Sequence, residues 1–141
     1  KPECLTDAEY AVIKEHPRVG YNIMMQMEDA DTVGEVILHH HERWDGKGYP
    51  DGTTGGGASV PARILAVADS FDAMGSSRPY RDRLSQADVI REISDSAGTQ
   101  FDPEVVKVLL SEAAAGRIAV EADYEAAATM RQTGAPEDEE E

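Results

Sequence analysis

Three consecutive histidines, His39, His40 and His41, followed by Glu42, are the residues of this sequence best suited to chemistry. Imidazoles ligate transition metals, and neighbours on a helix point about 100° apart, so two of the three can flank one or two ions while the third faces away. A solvated cluster is the plainer reading. The internal position of this short run, after the apolar Val36-Ile37-Leu38, argues against a purification-tag remnant. Asp69 is the second candidate. A carboxylate inside an otherwise apolar helix is costly to bury unless it is paired or bound to a cation. Pairing with Arg63, Arg78 or Arg81 would satisfy it as well as a metal would. Together with His40 and His41 it makes a mixed imidazole and carboxylate set, which suits iron, manganese or zinc. His16, before Pro17, is by itself a capping or packing residue and joins the set only if the fold brings it there.

The run Trp44-Asp45-Gly46-Lys47-Gly48-Tyr49-Pro50-Asp51-Gly52 and the downstream Arg78-Pro79-Tyr80-Arg81 offer a different chemistry. Glycines allow close backbone approach, Tyr49 and Tyr80 can stack, and two arginines three apart suit bidentate recognition of phosphate. A turn-rich connection stiffened by Trp44, and pairing of the arginines with Asp72 or Asp82, are the structural alternatives.

These residues need elements to position them. Thr6-Asp7-Ala8-Glu9 fits a capping box and predicts a helix to about Glu15, broken at His16-Pro17. Pro17 then opens a second helix through Val19, Tyr21, Met24 and Met25. A third is predicted from Thr32 to His41, with Val33, Val36, Ile37 and His40 on one stripe. Residues 43–59, rich in glycine, form a long structured loop, a kind that is uncommon and usually functional. Val60 to Ser77 is apolar nearly all round and is predicted to be a central helix. Ser85 starts another, carrying Val89, Ile90 and Ile93. Asp102 with Pro103 starts the next, which runs through Val105, Val106, Leu109 and Leu110 towards Gly116. Glu121 to Met130 is a weaker helix, and Gly134 to Glu141 a solvated acidic tail. No strand pair is credible, so the fold class is all-α, a helical bundle interrupted by one glycine-rich loop.

A length of 141 residues suits one domain, and 40% hydrophobic residues exclude wholesale disorder. The longest apolar run, Ile64 to Ala68, is far short of the roughly 18–20 residues of a membrane span, and no secretory signal opens the chain. One cysteine, Cys4, excludes an internal disulfide and points to a reducing, cytoplasmic compartment. The net charge of −15 repels a phosphate backbone, so duplex nucleic acid is not the partner. Residues 1–42, 43–83 and 84–141 carry −6, +1 and −10, which leaves the middle segment the least hostile to a small anion.

The eleven residues His40-His41-Glu42-Arg43-Trp44-Asp45-Gly46-Lys47-Gly48-Tyr49-Pro50 resemble the signature of the HD-GYP family, a branch of the HD superfamily of metal-dependent phosphohydrolases. Leu5-Thr6-Asp7, His16-Pro17 and Gly20 before the signature extend the likeness. So do Ala62-Arg63-Ile64-Leu65-Ala66-Val67-Ala68-Asp69, Arg78-Pro79-Tyr80-Arg81 and Gly98-Thr99-Gln100-Phe101-Asp102-Pro103 after it, to about residue 112. The resemblance implies an all-helical HD-type bundle with a long GYP loop. It implies hydrolysis of cyclic di-GMP or a related cyclic dinucleotide with two or three divalent ions, iron or manganese. Position by position it makes His16, His40, His41 and Asp69 metal ligands. Gly48, Tyr49 and Asp72 become nucleotide-site residues, and Arg78 and Arg81 phosphate contacts. A diguanylate cyclase domain reached through the loop, and an upstream receiver or sensor domain, are the implied partners.

One departure stands out. The His-Asp dyad that names the superfamily, with its following lysine, belongs upstream of the matched part, and no His-Asp dipeptide occurs here. Lys47 belongs to the signature loop and does not replace that lysine, so no residue is assigned as catalytic. Residues 1–115 are accordingly expected to be a partial domain lacking the upstream segment, residues 116–133 a helical extension, and 134–141 a disordered tail. On its own this stretch is expected to be inactive or impaired. The alternative is a degenerate module that binds nucleotide or a signalling partner. A mononucleotide hydrolase of the HD type is a further rival, against which the GYP loop argues.

Overall fold

The computed structural model describes residues 5–76 and 82–120. Five helices follow one another: α1 (Asp7–Met24), α2 (Asp31–His39), α3 (Val60–Gly75), α4 (Gln86–Asp95) and α5 (Pro103–Ala114). Among the described residues there is no strand, only two isolated bridges, Asp45 with Thr54 and Ala97 with Phe101. The all-α expectation holds.

Local signals set most helix starts. Thr6 accepts from the Glu9 amide while Glu9 reaches back to the Thr6 amide, a complete capping box. Ser59, Ser85 and Asp102 cap α3, α4 and α5 by accepting the amides of Ala62, Asp88 and Glu104. Glycine sets how closely α1 and α2 approach. A Cβ on Gly20 would stand 2.9 Å from Ile37 Cγ2, and one on Gly34 would stand 3.3 Å from the Tyr21 ring. That close pairing carries His16 of α1 towards the C-terminal end of α2.

The core lies at the other end of the molecule. Val67, Val89, Ile93, Phe101, Val106 and Val120 are buried together, with Phe71, Met74, Leu84 and Leu109 packed around them. Ile93 is fully buried and among the largest such side chains. Ile93→Ala is expected to cost about 2–5 kcal/mol, the range for emptying a buried aliphatic site. A urea melt would show it as a lower midpoint with an unchanged slope.

Three expectations need correction. The break at His16-Pro17 does not occur: α1 runs through Pro17 as one helix of 18 residues. A proline inside a helix costs about 3 kcal/mol in lost bonding and crowding. Here Pro17 is the buried residue of α1, and burial together with the packing along α2 outweighs that cost. The third predicted helix ends earlier than expected, at His39, so that His40 caps it and His41 and Glu42 lie in the turn beyond. Finally, α3 is not central along its length. Val67 is buried and Phe71 and Met74 join the core, but Val60 and Ile64 remain about half exposed. They line an apolar cleft of about 540 Å³ with Val105, Val108 and Leu109 of α5, which no other described element fills. The expected helix at Glu121–Met130 and the acidic tail at Gly134–Glu141 lie outside the described residues.

Candidate metal centre and nucleotide cleft

Where α2 ends, the chain turns so that successive histidines leave in different directions. The His40 ring sits with Nδ1 2.8 Å from the Ile37 carbonyl oxygen. A carbonyl can only accept, so Nδ1 carries the proton and the Nε2 lone pair is left for a ligand. Metal-binding histidines are oriented by this kind of bond. The His41 ring lies 4.0 Å from that of His40, centroid to centroid, and is stacked on Tyr49 at 5.0 Å and 21°. Burial, with His40 and His16 nearby, pushes the His41 imidazole below its ordinary pKa, and Asp69 pulls the other way. His40, His41 and Asp69 line one cleft, while His16 is exposed and does not line it, although it lies near enough to act on the His41 charge. The lowered pKa of His41 favours the neutral form, the one a metal requires.

The signature loop presses on this turn. A Cβ on Gly48 would fall 2.4 Å from the Arg43 amide nitrogen and 2.5 Å from the His41 carbonyl oxygen, so a residue without a side chain is required there. The Tyr49 amide donates to His41 O at 3.3 Å. Tyr10 of α1 meets Tyr49 edge-on at 6.2 Å, and burial raises the Tyr49 phenol pKa, with Tyr10 and Asp69 adding to it. The result is a cleft of about 290 Å³ lined by Tyr10, His40, His41, Lys47, Tyr49 and Asp69, among others.

The loop is also tied to the α4–α5 turn. The Trp44 and Asp45 amides donate to Gln100 O and Thr99 O. Arg63 pairs with the buried Asp102 and lies 5.8 Å over the Trp44 ring. Arg43 grips Asp45 through two bonds of 3.1 and 2.9 Å. That guanidinium lowers the Asp45 carboxyl to about 2, assisted by the Lys47 amide against the opposing effect of desolvation. Because the folded value lies below the ordinary 3.8, the interaction favours the folded state above that pH and is lost as pH falls through about 2. Arg43→Ala should return the Asp45 titration, followed by the carbon-13 carboxyl shift, towards 3.8. A titration still centred near 2 would mean that Arg43 is not the cause.

His39 faces away from this cleft, as one of the three had to. Its Nδ1 meets Glu35 and its Nε2 meets Asp51, each at 3.0 Å. Desolvation disfavours its charged form, but the bonds to the two carboxylates together raise its pKa. Asp51 also pairs with Arg18 of α1 at 2.8 Å, and Glu35 accepts from Ser59, the cap of α3. These contacts span α1, α2, the loop and α3. Of them, only the i,i+4 spacing of Glu35 and His39 was available to sequence reasoning.

Among the described residues, the three potential ligand side chains whose atoms all come within 4.8 Å of one another are His39, Glu42 and Asp51, not the expected set. Every one of them is already engaged. The Glu42 carboxylate accepts three loop amides, His39 bonds two carboxylates, and Asp51 holds Arg18. A cation would have to take His39 from one of its two carboxylates, whereas among the described residues none bonds His40 Nε2.

Asp69 is exposed on α3 rather than buried, a correction to its expected cost, and lines the cleft. Arg63, one of its expected partners, is taken by Asp102. Asp72, one turn on, accepts from Ser76 at 3.4 Å and does not line the cleft. Arg78 and Arg81 lie outside the described residues.

Comparison with known proteins now gives this arrangement a class. The HD-domain family model matches residues 1–105, and the chain belongs to that family. It is 44% identical over 112 residues to the cyclic di-GMP phosphodiesterase response regulator RpfG of Xanthomonas campestris, covering 78% of this chain and 30% of that protein. It is 40% identical over 112 residues to a cyclic di-GMP phosphodiesterase of Thermotoga maritima, again 78% of this chain and 30% of the relative. The 3'3'-cGAMP-specific phosphodiesterase 1 of Vibrio cholerae is 38% identical over 111 residues, which cover 78% of this chain and 26% of that protein. Among solved structures, a cyclic GMP-AMP specific phosphodiesterase of V. cholerae superposes with a TM-score of 0.66 at 23% identity. The match covers 79% of this chain and 26% of that one, and shows the same fold. The chain thus spans less than a third of the length of these relatives.

Proposed function

We propose that this chain is the C-terminal major part of a metal-dependent phosphodiesterase domain of the HD-GYP type, acting on cyclic di-GMP or a related cyclic dinucleotide. The observation that carries the reading is the convergence of His40, with Nδ1 committed to a carbonyl, on His41, Tyr49 and Asp69 in one cleft. The names of the relatives support the substrate class. The donor set fits a divalent transition metal: the His40 imidazole with its Nε2 lone pair left for a ligand, the neighbouring His41 imidazole and an exposed carboxylate suit iron or manganese. His40, His41 and Asp69, joined by His16, would hold it. Bound ions supply Lewis acidity towards the phosphodiester oxygens.

The remaining work falls to this chain's own side chains. Tyr49, backed by Tyr10, offers a ring face to a base at the edge of the cleft. Gly48 lets the loop backbone lie against the His41 turn, which brings Tyr49 within reach of the same ligand. Arg78 and Arg81, six and nine residues after Asp72, are assigned to the phosphates, where a planar fork grips two oxygens at once. The volume of about 290 Å³ is at the lower edge of the roughly 300–1,000 Å³ usual for ligand pockets. The cleft therefore suits part of a dinucleotide rather than the whole of it. The single test is metal analysis with a hydrolysis assay on cyclic di-GMP and cyclic GMP-AMP, using the natural full-length protein beside this chain. Turnover with bound iron or manganese in the full-length protein supports the reading. Metal-free protein, or metal-loaded protein that leaves both substrates intact, sinks it.

A further inference from the structure

Glu42 is 7% exposed, and with Asp102 it is one of two buried charged-type residues among those described. Burying a carboxyl group is unfavourable unless hydrogen bonds replace its water. Its partners are unusual: the backbone amides of three consecutive loop residues. Asp51 and Gly52 donate to Oε1 at 2.7 and 3.2 Å, and Thr53 donates to Oε2 at 3.0 Å. Their donors come from nine, ten and eleven residues further along the chain, so the side chain closes the whole signature loop into a ring.

A second fixing lies inside that ring. The Gly48 backbone is pressed against the His41–Arg43 backbone, and the Tyr49 amide donates to His41 O. Tyr49 stands between these two fixings, and its ring is the one stacked on His41. The Asp51 side chain also ties the loop, to Arg18 and His39, but through groups of which Asp51 and Arg18 are 40% and 45% exposed. Exposed pairs of that kind hold weakly. The buried carboxylate with three amides is the stronger tether.

We infer that Glu42 is a positioning residue for the nucleotide cleft: by gathering the amides of Asp51, Gly52 and Thr53 it holds Tyr49 over His41. This role rests on the cleft being the nucleotide site, as proposed above. Glu42 itself touches neither metal nor substrate in this role.

Nuclear magnetic resonance on the metal-free protein tests it without any need for activity. In the wild type, the amides of Asp51, Gly52 and Thr53 should exchange with solvent at least about tenfold more slowly than that of Gly56, as expected of hydrogen bonds to a carboxylate. The His41 ring protons should be shifted upfield by the Tyr49 ring, with Tyr49→Ala supplying the unshifted reference. Glu42→Gln keeps the size and one neutral acceptor oxygen, which can still serve Asp51 and Gly52, but turns an N–H donor towards the Thr53 amide, which also donates. It should free the Thr53 amide to exchange and reduce the upfield shift, while far-UV dichroism stays helical and Mn²⁺ affinity is unchanged. Glu42→Asp should retain more of the shift than Glu42→Gln.

Free exchange of the three amides in the wild type would overturn the role, and that reading stands even if a variant fails to fold. An unmoved His41 signal in Glu42→Gln would overturn it too. Loss of Mn²⁺ binding in that variant would overturn it in favour of direct ligation by Glu42. Failure of the protein to bind any cyclic dinucleotide would overturn the nucleotide-positioning role together with the functional reading, and the amide exchange would then report only that Glu42 closes the loop.

Discussion

Gly48→Ala is expected to release the signature loop from the His41–Arg43 backbone and to cost about 3 kcal/mol, the upper end of what overpacking a close-packed site costs. The added carbon would lie 2.4 Å from the Arg43 nitrogen, 2.5 Å from the His41 oxygen and 2.7 Å from the Glu42 Cα. All three are backbone atoms, so no rotamer change relieves the clash. Some contacts must open instead, and the Tyr49–His41 stack is the nearest. Denaturant melts should show the lost stability, and the emission of Trp44, which the same loop carries, should shift to longer wavelength. Gly56→Ala is the control. Nothing lies within 4 Å of its Cβ position, so it should stay within about 0.5 kcal/mol of the wild type. Equal stability of the two variants would show that the loop does not sit where it is described.

His41→Ala should weaken metal binding by at least about 100-fold, since even outer partners of metal ligands cost 10–100-fold when removed. The ring is half-buried at the end of α2 and lies outside the core cluster, so the helices should survive. Dichroism would confirm that, and calorimetric titration with Mn²⁺ would read the loss. His39→Ala should give the opposite pattern. It breaks the bridge between Glu35 and Asp51 and so lowers stability, while metal affinity changes little. Unaltered Mn²⁺ affinity in His41→Ala would remove His41 from the ligand set.

Residues whose partners are near in sequence were legible. Thr6 with Glu9, Ser85 with Asp88 and Asp102 with Glu104 cap helices as their spacing demands, because those bonds close within three residues. The signature loop was legible as a structured loop from its glycines, and Gly48 shows why one of them is required. Pro17 was misread because a local rule met a tertiary contact that outweighs it. The N-terminal half of α3 was misread for a related reason. Apolar periodicity tells which residues can be buried, not which of them find a cover. His39 could be seen to differ from its neighbours only in direction. Its partner Asp51 is twelve residues away, Arg18 and Asp51 are separated by 33, and Arg63 and Asp102 by 39. No spacing rule reaches that far. Glu42 was visible only as the end of the histidine run, since the three amides that define its role carry no side-chain signature.

Nitrogen-15 spectra of the four histidine rings during titration with Zn²⁺, a diamagnetic probe of the metal site, test the central claim most directly. The structure predicts that the Nε2 of His40 moves to the range of a metal-bound nitrogen while its Nδ1 stays protonated on the Ile37 carbonyl, with His41 responding at the same equivalents of metal. His39, with both nitrogens bonded to carboxylates, should remain as it was. If His39 takes up the first equivalent and His40 and His41 do not respond, the metal centre is the His39, Glu42 and Asp51 group instead, and the proposed cleft is wrong.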